Sequence, residues 1–88
     1  MRLTHHADRR RTQRSLPIDV LSSIYAFGSE VHSKGLISLT LDRRSISLAT
    51  EDDRRHRAEL ERYLGTYIIV GDGESIVTAA RRRRRFRR

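Results

Sequence analysis

The sequence contains no cysteine, and this absence removes several kinds of chemistry. Disulfide bonds, thiolate metal sites and a nucleophilic thiol are all excluded, and the composition suits a reducing compartment. No apolar run approaches the roughly 18 residues of a membrane-spanning helix, and the first residues lack the apolar stretch of a signal peptide. We therefore expect a cytoplasmic protein with no membrane partner.

Apolar residues are also scarce for a chain of this length. The 88 residues are 36% hydrophobic and 34% charged. A chain of this size buries only about 60 to 65% of its unfolded surface, so we expect one compact core. Because so small a core supplies little stability, a partner could contribute to it, and that partner could be a second copy of the chain in a homodimer.

Positive charge is abundant and unevenly placed. The net charge is +8, yet residues 1–80 hold 12 basic and 11 acidic side chains, while residues 81–88 hold seven arginines. We therefore divide the chain into a domain over 1–80 and an Arg-rich C-terminal extension over 81–88, and we expect the extension to contact a polyanion. Arginine outnumbers lysine eighteen to one, which fits forked phosphate contacts and equally fits a GC-rich genome.

Local signals predict an α+β fold. Thr4 suits the N-cap of a polar helix over 4–14, and Pro17 suits the first turn of an apolar helix that ends at Gly28. Residues 51–64 follow a capping pattern at Thr50 and predict a charged surface helix. Alternating apolar residues predict antiparallel strands, with Asp-Gly as the clearest hairpin turn, over residues 29–33, 36–41, 44–48, 66–70 and 75–80.

The most informative short motif is a row of His6, Arg10 and Arg14, which share one helix face at i, i+4 and i+8. The row spans about 12 Å at a rise of about 1.5 Å per residue, which suits consecutive phosphates of RNA. An RNA 2′-hydroxyl can attack the adjacent phosphorus while His6 transfers a proton and the two guanidinium groups stabilise the phosphorane. The alternative is a polar helix that simply shows these side chains to solvent.

Candidate residues also lie near the C-terminus. Thr78 either donates a hydrogen bond to phosphate or merely satisfies strand propensity. Arg81 and Arg82 would continue the last strand, while Arg83 and Arg85 would add RNA contacts; the alternative is an unstructured electrostatic tail.

The other histidines do not form a pattern. His5 lies about 100° around the helix from His6, and His32 and His56 are isolated. No His, Asp and Glu cluster has ligand spacing on one face, so we expect neither a metal nor another cofactor.

The motif Thr4-x-His6-Ala7-x-x-Arg10-x-x-x-Arg14 resembles the Ser-x-His-Ala-x-x-Arg signature of small uncharacterised bacterial domains, which are similar to RelE- and BrnT-type toxins. The run from Ile76 to Arg82 resembles the terminal strand and arginines of BrnT-like proteins.

The resemblance implies two N-terminal helices packed on a curved antiparallel sheet of about four to five strands. It also implies metal-independent mRNA cleavage that a neighbouring antitoxin inhibits, with an active surface formed by His6, Arg10, Arg14, Thr78 and Arg81 or Arg82. Thr4 replaces the more usual serine, and the charged segment 50–64 looks like an insertion where a tight connection is expected.

Two functions follow as hypotheses. The first is an endoribonuclease toxin of a toxin–antitoxin pair, acting on single-stranded or ribosome-bound RNA. The second is a non-catalytic RNA-binding or ribosome-associated module, in which the same arginines only neutralise phosphates. A DNA-binding regulator is disfavoured because no recognition-helix pattern is evident.

Overall fold

A computed structural model describes residues 1–82 and shows helices packed on a five-stranded sheet. The strand order is β1-β5-β4-β3-β2, with β1 parallel to β5 and every other neighbouring pair antiparallel. A 3-10 turn over Asp72–Glu74 joins the last two strands. The helices and strands, in chain order, are β1 (Arg2–Leu3), α1 (His5–Gln13), α2 (Ile18–Phe27), β2 (Ser29–Ser33), β3 (Leu36–Thr40), α3 (Arg43–Thr50), α4 (Arg54–Glu61), β4 (Thr66–Val70) and β5 (Ser75–Arg81).

The two predicted N-terminal helices are confirmed, and their ends have the expected chemistry. The side chain of Thr4 accepts a hydrogen bond from the backbone N–H of Ala7 at 3.1 Å, which satisfies a free donor of the first turn of α1. Pro17 is the N-cap of α2, and Gly28 is its C-cap. The α+β class is therefore confirmed.

The core lies between one face of the sheet and the helices. Because successive strand residues point to opposite faces, only alternate positions of β4 are fully buried. The core combines sheet residues with residues of all four helices and the loops beside them. Its members are Ala7, Leu16, Val20, Leu21, Ile24, Leu39, Leu41, Ile46, Leu60, Ile68, Val70, Ile76 and Ala79.

The opposite face of the sheet, here called the open face, carries the intervening residues. The pair Ile68 and Ala79 is buried, so the next pair, Ile69 and Thr78, lies on the open face. Both residues are only partly buried. Within residues 1–82 no helix contributes to a core on this face.

The predicted strand over 44–48 is wrong, because these residues form α3. Asp42 caps this helix: its carboxylate accepts from the N–H of Ser45 at 2.9 Å, and its own N–H donates to the Ser45 hydroxyl at 2.8 Å. The alternation depended on only two apolar residues, and Leu48 is in fact 53% exposed.

The charged surface helix is present, but its predicted start at Thr50 is wrong. Thr50 ends α3, and Asp53 caps α4 by accepting from the N–H of His56 at 3.0 Å.

The sheet is also not purely antiparallel, because β1 pairs in parallel with β5, and β1 was not predicted. Across residues 1–82, no helix has the length and apolar character needed to cross a membrane.

Candidate nucleic-acid interface

The first helix packs along the last strand. The backbone N–H of Thr4 donates to the carbonyl oxygen of Ile76 at 2.9 Å, which holds the start of α1 beside the start of β5. Ala7 of the helix and Ala79 of the strand are both fully buried in the core. Because both side chains are small, α1 and β5 can approach closely. The element that carries the His-Arg row therefore lies next to the strand that leads into the arginine run.

Most of the positive charge of α1 is not neutralised by nearby carboxylates. His6 and Arg14 are exposed and Arg10 is half-buried. Arg11 is different, because its guanidinium lies 3.0 Å from the carboxylate of Asp8 and also donates to the carbonyl oxygen of Leu16 at 3.4 Å. Within residues 1–82, Arg11 is the only Lys or Arg within 4.0 Å of a carboxylate. Arg10 and Arg14 of the row therefore have no ion-pair partner among residues 1–82.

Arg81, the last residue of β5, and Arg82, which follows it, lie beside different aromatic rings. The Arg81 guanidinium donates to the carbonyl oxygen of Arg62 and lies 5.7 Å from the centre of the Tyr63 ring. The Arg82 guanidinium lies 5.3 Å from the centre of the Tyr67 ring, and the Arg82 N–H donates to the carbonyl oxygen of Gly65 at 2.9 Å. Arg81 pairs in register with buried Thr66. The two side chains therefore lie on opposite faces of the sheet.

The predicted site residues are divided between the two faces. Thr78 pairs with Ile69 on the open face, whereas α1 contributes Ala7 to the core on the other face. The sheet therefore lies between the Thr78 side chain and the helix that carries His6 and Arg10. The predicted RNA-contacting residues Arg83 and Arg85 lie outside the described residues.

Tyr67 lies beside Arg82 on the open face, although sequence analysis did not select it. It pairs with Ala80, and its ring lies within cation–π distance of the Arg82 guanidinium. Thr40 is its neighbour on the other side. Alternation along β4 already places Tyr67 opposite Ile68, but its proximity to Arg82 depends on the register between β4 and β5.

A separate cleft of about 150 Å³ lies between the start of α2 and α4. Its lining mixes the carboxylates of Asp19 and Glu59 with His56 and Arg62. Because both signs of charge are present, this cleft suits a polyanion less well than α1. Over residues 1–82, no three His, Asp or Glu side chains form a group that could hold a metal ion.

Comparisons with models of protein families, with curated proteins and with solved structures found no match to this chain.

Proposed function

We propose that this protein is a cytoplasmic RNA-binding protein that cleaves RNA without a metal ion, as the toxins that its N-terminal motif resembles do. One observation carries the proposal: α1 packs along β5, so the His-Arg row lies beside the strand that runs into the arginines. Arg10 and Arg14 of that row have no carboxylate within 4.0 Å among residues 1–82. Guanidinium groups in such a position bind phosphate oxygens through forked hydrogen bonds.

The proposed cleavage uses a nucleophile from the substrate. The RNA 2′-oxygen attacks the adjacent phosphorus, the bond to the 5′-oxygen breaks, and the products are a 2′,3′-cyclic phosphate and a 5′-hydroxyl. His6 is exposed and accepts the proton of the attacking hydroxyl, and the leaving 5′-oxygen takes a proton from water to become the 5′-hydroxyl. Arg10 would stabilise the extra negative charge on phosphorus. A neighbouring antitoxin would inhibit this activity in the cell.

A non-catalytic RNA-binding module is the second candidate, and one observation favours it. Thr78 lies on the open face, across the sheet from α1, so the five residues suggested by the resemblance do not meet on one surface. In this case the arginines neutralise phosphates and no bond is broken.

Binding is tested with a fluorescent single-stranded RNA and anisotropy at several salt concentrations. We expect affinity to fall linearly with salt on logarithmic axes, because bound arginines release counterions from the phosphates. Arg10→Ala should weaken binding by about 1 kcal/mol or more, since a charged hydrogen bond to phosphate is lost. Arg9→Ala removes the same charge from the exposed side of α1 and is the matched control. Equal effects of the two variants would count against a specific role for the row.

Cleavage is tested with the same RNA and with a copy whose 2′-hydroxyls are replaced by hydrogen. We expect cleavage of the first substrate only, and we expect His6→Ala to abolish it while leaving affinity nearly unchanged. His5→Ala, on the adjacent exposed position, is the matched control. Binding without cleavage by the unmodified protein would select the non-catalytic module, and absence of RNA binding would reject both candidates.

A further inference from the structure

Strand β2 lies at the edge of the sheet, and most of its residues are exposed to solvent. It is last in the strand order, and within residues 1–82 it pairs only with β3. Four of its five residues are exposed, and Val31 is 61% exposed. Val31 also lines an apolar groove on the open face together with Leu36 and Ile69. An exposed edge of this kind can pair with a strand of another chain.

The register of the β2–β3 hairpin shows which backbone groups face outward. Ser33 and Leu36 are partners across a two-residue turn, in which Lys34 and Gly35 both have positive φ, of 52° and 78°. This is the geometry of a type I′ hairpin, where the residues that flank the turn form a hydrogen-bonded pair and the pairs then alternate. Glu30 and His32 therefore direct their N–H and C=O groups away from β3.

We propose that β2 is the interface of a homodimer, in which β2 pairs antiparallel with β2 of a second copy across a two-fold axis at Val31. The sequence of β2 is Ser-Glu-Val-His-Ser. In this register Glu30 of each copy lies opposite His32 of the other, and these are the residues with outward backbone groups. Serine lies opposite serine and valine opposite valine, so the surface is self-complementary, as a two-fold interface requires.

The side chains of Glu30 and His32 favour this register over the two neighbouring registers. Shifting the axis to Glu30 or to His32 would also align outward backbone groups, but it would place two carboxylates or two imidazoles opposite each other. Within one chain the His32 Nε2 already lies 3.1 Å from the Glu30 carboxylate, so the two groups are compatible partners. Like charges directly opposite on adjacent strands destabilise a sheet, whereas opposite charges stabilise it.

The proposed dimer is independent of RNA binding. Strands β3 and β4 lie between β2 and β5, so the pairing leaves α1 and the end of β5 uncovered. The two helical layers lie on the same side of the continuous ten-stranded sheet. The apolar groove at Val31 meets its counterpart at the axis.

The first test uses the absence of cysteine from the natural chain. Val31→Cys introduces one thiol at the axis, where opposed Cα atoms of a non-hydrogen-bonded pair lie about 4.5 Å apart, within reach of a disulfide. We expect mild oxidation to convert most of this variant to a covalent dimer that reductant reverses. Leu48→Cys is the control, because Leu48 is 53% exposed but lies on α3. Equal cross-linking of the two variants would overturn the proposal.

The second test exchanges charges and measures mass by light scattering at protein concentrations from about 10 µM to 1 mM, a range suited to a small interface. Glu30→Lys and His32→Glu should each weaken self-association about tenfold or more. Glu30→Lys removes the two carboxylates that accept from His32 across the interface, and His32→Glu places carboxylates opposite each other at both positions. A mixture of the two variants should dimerise, since Lys at position 30 then faces Glu at position 32. Thermal unfolding checks that each variant folds. A wild-type chain that stays monomeric throughout, or a mixture that does not restore dimers, would refute the interface.

Discussion

Asp42 connects strand β2 to helix α3, and its removal offers a quantitative test of the structure. One carboxylate oxygen accepts from the backbone N–H of Ser45 at 2.9 Å, which caps α3. The other accepts from the hydroxyl of Ser29, the first residue of β2, at 2.7 Å. Asp42 therefore connects the edge of the sheet to the helix that follows β3.

The change Asp42→Ala should cost about 2 to 3 kcal/mol of unfolding free energy. Loss of the N-cap accounts for about 1 kcal/mol, and loss of a hydrogen bond to a charged acceptor accounts for about 1.5 kcal/mol. We use the lower end of the second range because Ser29 is only partly buried and its hydroxyl can turn to water. For a domain of this size, the same loss lowers the melting temperature by on the order of 10 °C.

The effect should depend on pH. Desolvation raises the pKa of Asp42, but the hydrogen bonds from Ser29 and Ser45 lower it by more, so the pKa in the folded protein lies below its ordinary value of 3.8. A folded-state pKa below the unfolded one contributes stability that is present above the unfolded pKa and is lost as the pH falls through the folded pKa. The stability difference between the wild-type chain and Asp42→Asn should therefore shrink below about pH 4.

Urea unfolding followed by circular dichroism at pH 7 and at pH 3 measures both effects. Asp53→Ala is the matched control, since Asp53 caps α4 through one exposed hydrogen bond and should cost only about 1 kcal/mol. If Asp42→Ala cost no more than Asp53→Ala, or if the difference from Asp42→Asn were the same at both pH values, the reasoning would be refuted.

Three further changes test the packing by the same unfolding measurement. Gly28→Ala should destabilise by about 1 to 3 kcal/mol, because its Cβ would lie 2.6 Å from the carbonyl oxygen of Ile24; an unchanged midpoint would contradict this close approach. Thr66→Val should stabilise by about 1 kcal/mol, because the buried Thr66 hydroxyl has no hydrogen-bond partner within residues 1–82; a loss of stability would reveal an unrecognised partner. Ala79→Leu should cost about 1 to 3 kcal/mol by forcing α1 away from β5, whereas a neutral result would show that the two elements are not closely packed.

Sequence signals that act over a few residues, such as helix caps and the alternation of apolar residues, correctly predicted most of the helices and strands. Thr4 and Gly28 lie at the ends of α1 and α2 because a hydroxyl N-cap and a glycine C-cap act within a few residues of their own position. The strands β2, β3 and β4 were found because their alternation is also local. The segment after Asp42 was misread because Ile46 and Leu48 fit a strand period, while the capping interaction of Asp42 determined a helix.

The sequence by itself determined the charge of the C-terminal end and predicted the helix that carries His6 and Arg10 and ends at Arg14. Only the tertiary structure decided which faces and edges these elements occupy. Long-range pairing between β4 and β5 brought Arg82 to Tyr67 and placed Thr78 across the sheet from α1. A one-residue change of register would reverse the face of every strand residue, and nothing in the local pattern of β5 specifies its partner.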